Sequence, residues 1–172
     1  MQANGFLFWE YKDRRHMVSL DTRTMHFSVC NLPQRLRDCT FDVGATKDGI
    51  RIVYTDQFCF NVGFLLCTRD VNGVESWVPE RVVNLKSELK RVLPGPWNFS
   101  ELDVLAVRDD HVYLVPSMLH DPQAPCWFLS LCLETMKVEK LFQRTYDNHV
   151  HPYIMAWPSL KKVQVVKVEN WI

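Results

Sequence analysis

One segment of this chain recurs: Ser19-Leu20-Asp21-Thr22-Arg23-Thr24-Met25 returns as Ser130-Leu131-Cys132-Leu133-Glu134-Thr135-Met136, each time a strand, a short polar turn and a second strand. A looser copy, Phe64-Leu65-Leu66-Cys67-Thr68-Arg69-Asp70, turns at Asn72-Gly73 into Val74-Glu75-Ser76-Trp77-Val78-Pro79-Glu80. Upstream, the run from Asp42 to Val53 matches the run from Asp103 to Leu114. Self-similarity at long period marks an array of like units, none of which can bury its apolar face alone.

The apolar runs are short, rich in Val, Phe, Tyr, Trp and Leu, and bounded by turn residues, which is the pattern of strands. Strands are expected at 5–10, 15–20, 24–30, 41–46, 50–55, 60–68, 74–85, 102–107, 111–116, 126–133, 136–144 and 151–156, with a last one at 163–168. Only 86–93 reads as a short helix. Each full unit is then four antiparallel strands over about 45 residues, the layout of a β-propeller blade. The fold class expected is all-β: a partial propeller over 1–160 with blades at 5–30, 41–85 and 102–144 and a closing strand at 151–156, followed by a tail at 161–172. The first blade supplies only three strands in this reading. Propellers close with roughly four to eight blades, so about three blades leave the ring open. An open arc leaves apolar blade faces uncovered, and a homodimer that completes the ring is one way to cover them.

Composition narrows the functional classes. Twenty Lys and Arg balance twenty Asp and Glu, which removes the general attraction to nucleic acid or to an anionic membrane surface. No apolar run has the roughly 18 residues of a membrane-spanning helix, and the N-terminus lacks the pattern of a signal peptide, so an intracellular location, cytoplasmic or nuclear, is expected. No two of the six cysteines have C-x-x-C spacing, which points to reduced, mostly buried thiols rather than a zinc site.

The residues that carry chemistry elsewhere have plainer readings here. His149-Val150-His151 places two imidazoles on one side of a strand but has no third ligand nearby, so no metal is expected. Asp42, Asp103, Asp109 and Asp110 read as turn residues and strand ends rather than as an acid–base pair. Phosphate-cradling loops and nucleophile elbows are absent from the sequence, so the expectation is a protein that is not an enzyme and takes no cofactor. Trp9, Trp77, Trp97, Trp127 and Trp157 are expected to pack between blades.

Strand alternation gives the sharpest inference. Connections 11–14, 31–40, 56–59, 86–101 and 117–125 should emerge at one end of the blades, and the tight turns 47–49, 70–73, 108–110 and 134–135 at the other. Long loops on a rigid scaffold are where binding residues gather, so a protein partner is expected on the first end, held by Arg14, Arg15, Phe58, Trp97 and His120.

Gly5-Phe6-Leu7-Phe8-Trp9, the stretch Leu20-Asp21-Thr22-Arg23-Thr24-Met25-His26-Phe27-Ser28 with Leu32-Pro33, the Lys47-Asp48-Gly49 turn and Trp77-Val78 together resemble the kelch-like F-box-associated propeller of plant F-box proteins. His151-Pro152-Tyr153 and Pro158-Ser159-Leu160 are similar to that family's closing segment. The resemblance implies substrate recognition within an SCF-type ubiquitin ligase, in which the F-box holds Skp1 and the propeller holds the target. No F-box-like helical segment stands before residue 5, so the expectation is a truncated binding module that does not itself recruit Skp1. The alternative is a ligase adaptor whose F-box is supplied separately.

Overall fold

The computed structural model describes residues 1–56, 60–69, 75–93, 101–117 and 125–145. Among the described residues, twelve strands form three four-stranded antiparallel sheets, each a simple meander. The first holds β1 (Gln2–Ala3), β2 (Phe6–Glu10), β3 (His16–Asp21) and β4 (His26–Asn31). The second holds β5 (Thr40–Thr46), β6 (Gly49–Asp56), β7 (Asn61–Arg69) and β8 (Glu75–Asn84). The third holds β9 (Glu101–Arg108), β10 (His111–Ser117), β11 (Pro125–Cys132) and β12 (Val138–Thr145). The leading strands lie side by side, β1 against β5 and β5 against β9, while the trailing strands β4 and β8 meet farther out. This is the radial stacking of propeller blades, and the three sheets form an open arc of an all-β, partial propeller.

The first blade has a fourth strand that the alternation pattern does not show. Gln2 pairs with Leu7 and Ala3 with Phe6 across Asn4-Gly5, both at positive φ (47° and 80°). Asn-Gly is the pair best suited to the positive φ that both central residues of a two-residue hairpin turn need. Two other strands start later than their apolar content suggests. Met25 and Met136 sit at φ 59° and 53°, and each donates its N–H to a carbonyl four residues back, Asp21 at 2.8 Å and Cys132 at 2.9 Å. The repeated motif therefore builds the same turn twice, and β4 and β12 begin only after it.

Two cores fill the seams between blades. Phe8, Met17 and Cys30 of the first sheet meet Val43, Ile52, Tyr54, Leu65 and Trp77 of the second. Val53, Val62 and Phe64 on the other face of the second sheet meet Val104, Val107, Val112, Leu114, Leu129 and Leu131 of the third. Each fully buried aliphatic or aromatic side chain here contributes about 1.5–3 kcal/mol relative to exposure. The connections between blades also bury side chains: Leu32, Leu36 and Cys39 enter the first seam, and Leu85, Leu89, Val92 and Leu93 the second.

Polar groups fix the second seam. The inner edge of β9 points N–H groups at its neighbour, and Thr40 Oγ1 accepts from Val104 at 3.1 Å and Asp42 Oδ2 from Val107 at 2.9 Å. Asp42 is thus a cross-blade acceptor, a role that its reading as a strand-end residue missed. Gly44 permits the approach, because a Cβ there would stand 2.2 Å from the Val107 carbonyl oxygen. The strand expected at 151–156, the tail 161–172 with its strand at 163–168, and His149-Val150-His151 lie outside the described residues.

Candidate partner-binding face

Alternating strands send successive connections to opposite ends of the blades, and the contacts between connections bear this out. At the tight-turn end Lys47 donates its backbone N–H to Asp110 Oδ1 at 3.0 Å, and its ammonium stands 3.7 Å from Glu134. Asp109 and Asp110 form their turn at φ 48° and 59°. At the other end the Arg14 guanidinium donates from Nη2 to the Cys39 carbonyl at 2.8 Å, and Leu32 N–H bonds to the Arg15 carbonyl at 2.7 Å. The turn 11–15 and the blade connection 32–39 are thereby tied into one surface.

The 11–15 turn is built by Asp13. Its Oδ1 accepts the N–H groups of Arg15 at 2.8 Å and His16 at 3.3 Å, while Oδ2 lies 2.7 Å from His16 Nδ1. The Arg15 N–H, followed by the contact with His16, holds the Asp13 carboxyl below its ordinary value. Arg14 closes the turn by donating its N–H to the Tyr11 carbonyl at 2.9 Å, in a left-handed conformation of φ 53°. Its Nε pairs with Glu10 at 2.6 Å. One arginine thus spans strand, turn and neighbouring connection, with 43% of its side chain still in solvent.

Of the five expected contact residues, Arg14 and Arg15 are exposed on this turn; Phe58, Trp97 and His120 lie outside the described residues. Sequence reasoning missed Arg35, exposed in the 3₁₀ turn Gln34–Leu36 that the Arg14–Cys39 bond brings alongside. Its signal was the Arg35-x-Arg37 pair within a connection assigned to this end.

The segment 86–101 does not present a free loop over its described part. Lys86–Val92 forms a helix, α1, whose Leu89 and Val92 are buried in the second seam. Its polar side grips the start of β12: Arg91 donates to the Val138 carbonyl at 2.7 Å, and Glu88 accepts the Val138 N–H at 3.3 Å. This stretch is a brace between blades. Trp77 and Trp127 pack in the seams as expected, but Trp9 is 45% exposed on the outward face of the first sheet.

Among the described residues no group of three or more His, Cys, Asp or Glu converges to hold a metal ion. No helix among them is long and apolar enough to cross a membrane. Compared with protein-family models, curated proteins and solved structures, the chain gives no match.

Proposed function

We propose that this chain is a non-enzymatic protein-binding module, similar in role to the substrate-recognition propeller of plant F-box proteins, and that it holds its partner at the long-connection end of the blades. The observation that carries the reading is the Arg14–Cys39 bond, which joins a hairpin turn of the first blade to the connection between the first and second blades. A surface fixed before binding loses less conformational freedom on association, and Arg side chains are favoured anchors. Lys12, Arg15 and Arg35 are exposed there beside Asp13 and Asp38, so a polar surface of mixed charge on the partner is the complement.

The test is affinity purification of the tagged chain with mass spectrometry, in wild type and in an Arg14→Ala/Arg15→Ala/Arg35→Ala variant. A variant at the opposite end, Lys47→Ala/Arg23→Ala, serves as the control. The expected result is a partner reproducibly captured by wild type and by the control, and lost from the triple variant while its fold is retained. Equal capture by all three chains overturns the assignment of this face. Skp1 and cullin among the captured proteins would turn the reading to a ligase adaptor.

A further inference from the structure

The hairpin that opens the first sheet carries a chemically reactive pair. Asn4 and Gly5 are its two turn residues, both exposed and both at positive φ. Among the described residues no group bonds the Asn4 side-chain amide or accepts the Gly5 N–H. Gly5 has no Cβ, so nothing on that residue shields its nitrogen from the Asn4 side chain. The other described asparagines, Asn31, Asn61 and Asn84, lie in strands and precede Leu32, Val62 and Leu85. The second Asn-Gly pair, Asn72-Gly73, lies outside the described residues.

The strand before this turn is short. Gln2 and Ala3 pair with Leu7 and Phe6, and the ladder is extended by Phe8 N–H to the Met1 carbonyl at 2.9 Å. So short a strand opens at a small fraction of the cost of opening the sheet. The opened Asn4-Gly5 segment then has the rotational freedom that ring closure needs.

We propose that Asn4-Gly5 is a site of spontaneous deamidation to isoaspartate, and that the modification releases β1 from the first blade. The Gly5 nitrogen attacks Asn4 Cγ, the Cγ–Nδ2 bond breaks, and the amide leaves as ammonia with the Gly5 proton. A succinimide ring remains. Water then opens the ring, and where it breaks the bond between the Gly5 nitrogen and the Asn4 backbone carbonyl, the main chain runs through Cβ and Cγ. No electrons are transferred, and water is the sole co-reactant. The new linkage adds one methylene to the backbone of a two-residue turn and places a carboxylate on it, so the paired positive-φ geometry is lost. Gly5 is held on its far side, where its carbonyl accepts from Thr22 N–H at 2.9 Å and from Thr22 Oγ1 at 2.6 Å. The displacement therefore falls on β1, whose Ala3 is buried in the first seam and which lies against β5.

The test ages the full 172-residue chain in mildly alkaline buffer beside an Asn4→Gly variant, whose Gly-Gly turn suits the hairpin but has no side-chain amide. Peptide mapping should find the mass gain of an NH2-to-OH exchange at Asn4 at least about 10-fold sooner than at Asn31, Asn61 or Asn84, which lack a following glycine. The isoaspartyl product should accept a methyl group from S-adenosylmethionine when a purified isoaspartyl methyltransferase is added. Hydrogen exchange at Phe8, whose N–H bonds the Met1 carbonyl, should quicken by about 10-fold or more in the aged wild type relative to the fresh chain. The aged Asn4→Gly variant should exchange as it did when fresh. Asn4 that stays intact in the folded chain but converts in urea overturns the proposal, because the turn then protects it. So does a converted product that accepts no methyl group, or a converted chain whose Phe8 exchange is unchanged.

Discussion

The indole N–H of Trp77 donates to the Cys30 sulfur at 3.2 Å, across the seam between the first and second blades. The edge of the same ring system meets Phe8, with centroids 6.4 Å apart. Burial raises the pKa of the Cys30 thiol although the indole donor opposes it, so the sulfur serves as a neutral acceptor.

This pair separates ring packing from hydrogen bonding. Trp77→Phe keeps most of the ring and is expected to cost about 1 kcal/mol, whereas Trp77→Ala empties the seam and costs about 3–5 kcal/mol. Urea unfolding reads both. Equal losses would show that the hydrogen bond, not the ring, holds the blades together.

Gly44→Ala should open the second seam. The new methyl would stand 2.5 Å from Val107 Cβ as well as 2.2 Å from its carbonyl oxygen, so a strand must move. Overpacking of this kind costs about 1–3 kcal/mol or more. Gly63→Ala meets instead the Tyr54 ring, 2.0 Å from its nearest carbon, and a side chain can yield where a backbone cannot. Thermal melting should therefore rank Gly44→Ala as the more damaging change. The reverse order would contradict the close approach of β5 to β9.

Asp42 gives the fold a pH dependence with a definite sign. Burial lifts its carboxyl above the ordinary 3.8, and the Val107 N–H only partly offsets this. The folded chain then holds that proton more tightly than the unfolded one. Asp42's contribution to stability is therefore fullest below the ordinary value and declines as pH rises through the raised one. Asp42→Asn keeps an acceptor for Val107 without the charge, so its stability relative to wild type should improve as pH climbs through that window. Asp42→Ala leaves the N–H unpaired and should cost about 1–3 kcal/mol. Denaturation midpoints across the acid range check both, and a wild type that gains on Asp42→Asn as pH rises would reverse the sign.

The thiols should react in order. Burial, with Glu75 nearby, pushes Cys67 up to about 11, while a hydrogen bond from Thr135 brings Cys132 below its ordinary 9.0. Alkylation with iodoacetamide at about pH 8 should label Cys132 ahead of Cys67, and Thr135→Val should slow it. Peptide mapping over time reads the order; Cys67 labelled first would contradict the burial of β7 in the first seam.

Much of the blade pattern was legible because period-two alternation and turn chemistry are local. Gly49 at φ 132° and the Asp109-Asp110 turn sit where their residue types place them. Strand β1 was not legible, since two residues carry no alternation and Gly5 was counted into the strand it precedes. The late starts of β4 and β12 were hidden because methionine is not a usual left-handed residue, and only the repeated hydrogen bond shows it. Tertiary partners were out of reach of periodicity: Asp42 bonds a residue 65 positions away, and Trp9 looks like any blade aromatic although its ring is 45% exposed. For the candidate face, the turn at Arg14 and Arg15 followed from strand count alone. The adjacency of Arg35 depended on tertiary bonds that alternation does not show, from Arg14 to the Cys39 carbonyl and from Leu32 to the Arg15 carbonyl.

The most direct test of the central claim is hydrogen–deuterium exchange of the chain with and without the partner it captures. Protection is expected within residues 11–15 and 32–39, with exchange at Lys47, Asp48, Asp109 and Asp110 unchanged. Protection confined to those tight turns, with 11–15 and 32–39 exchanging as in the free chain, would contradict it.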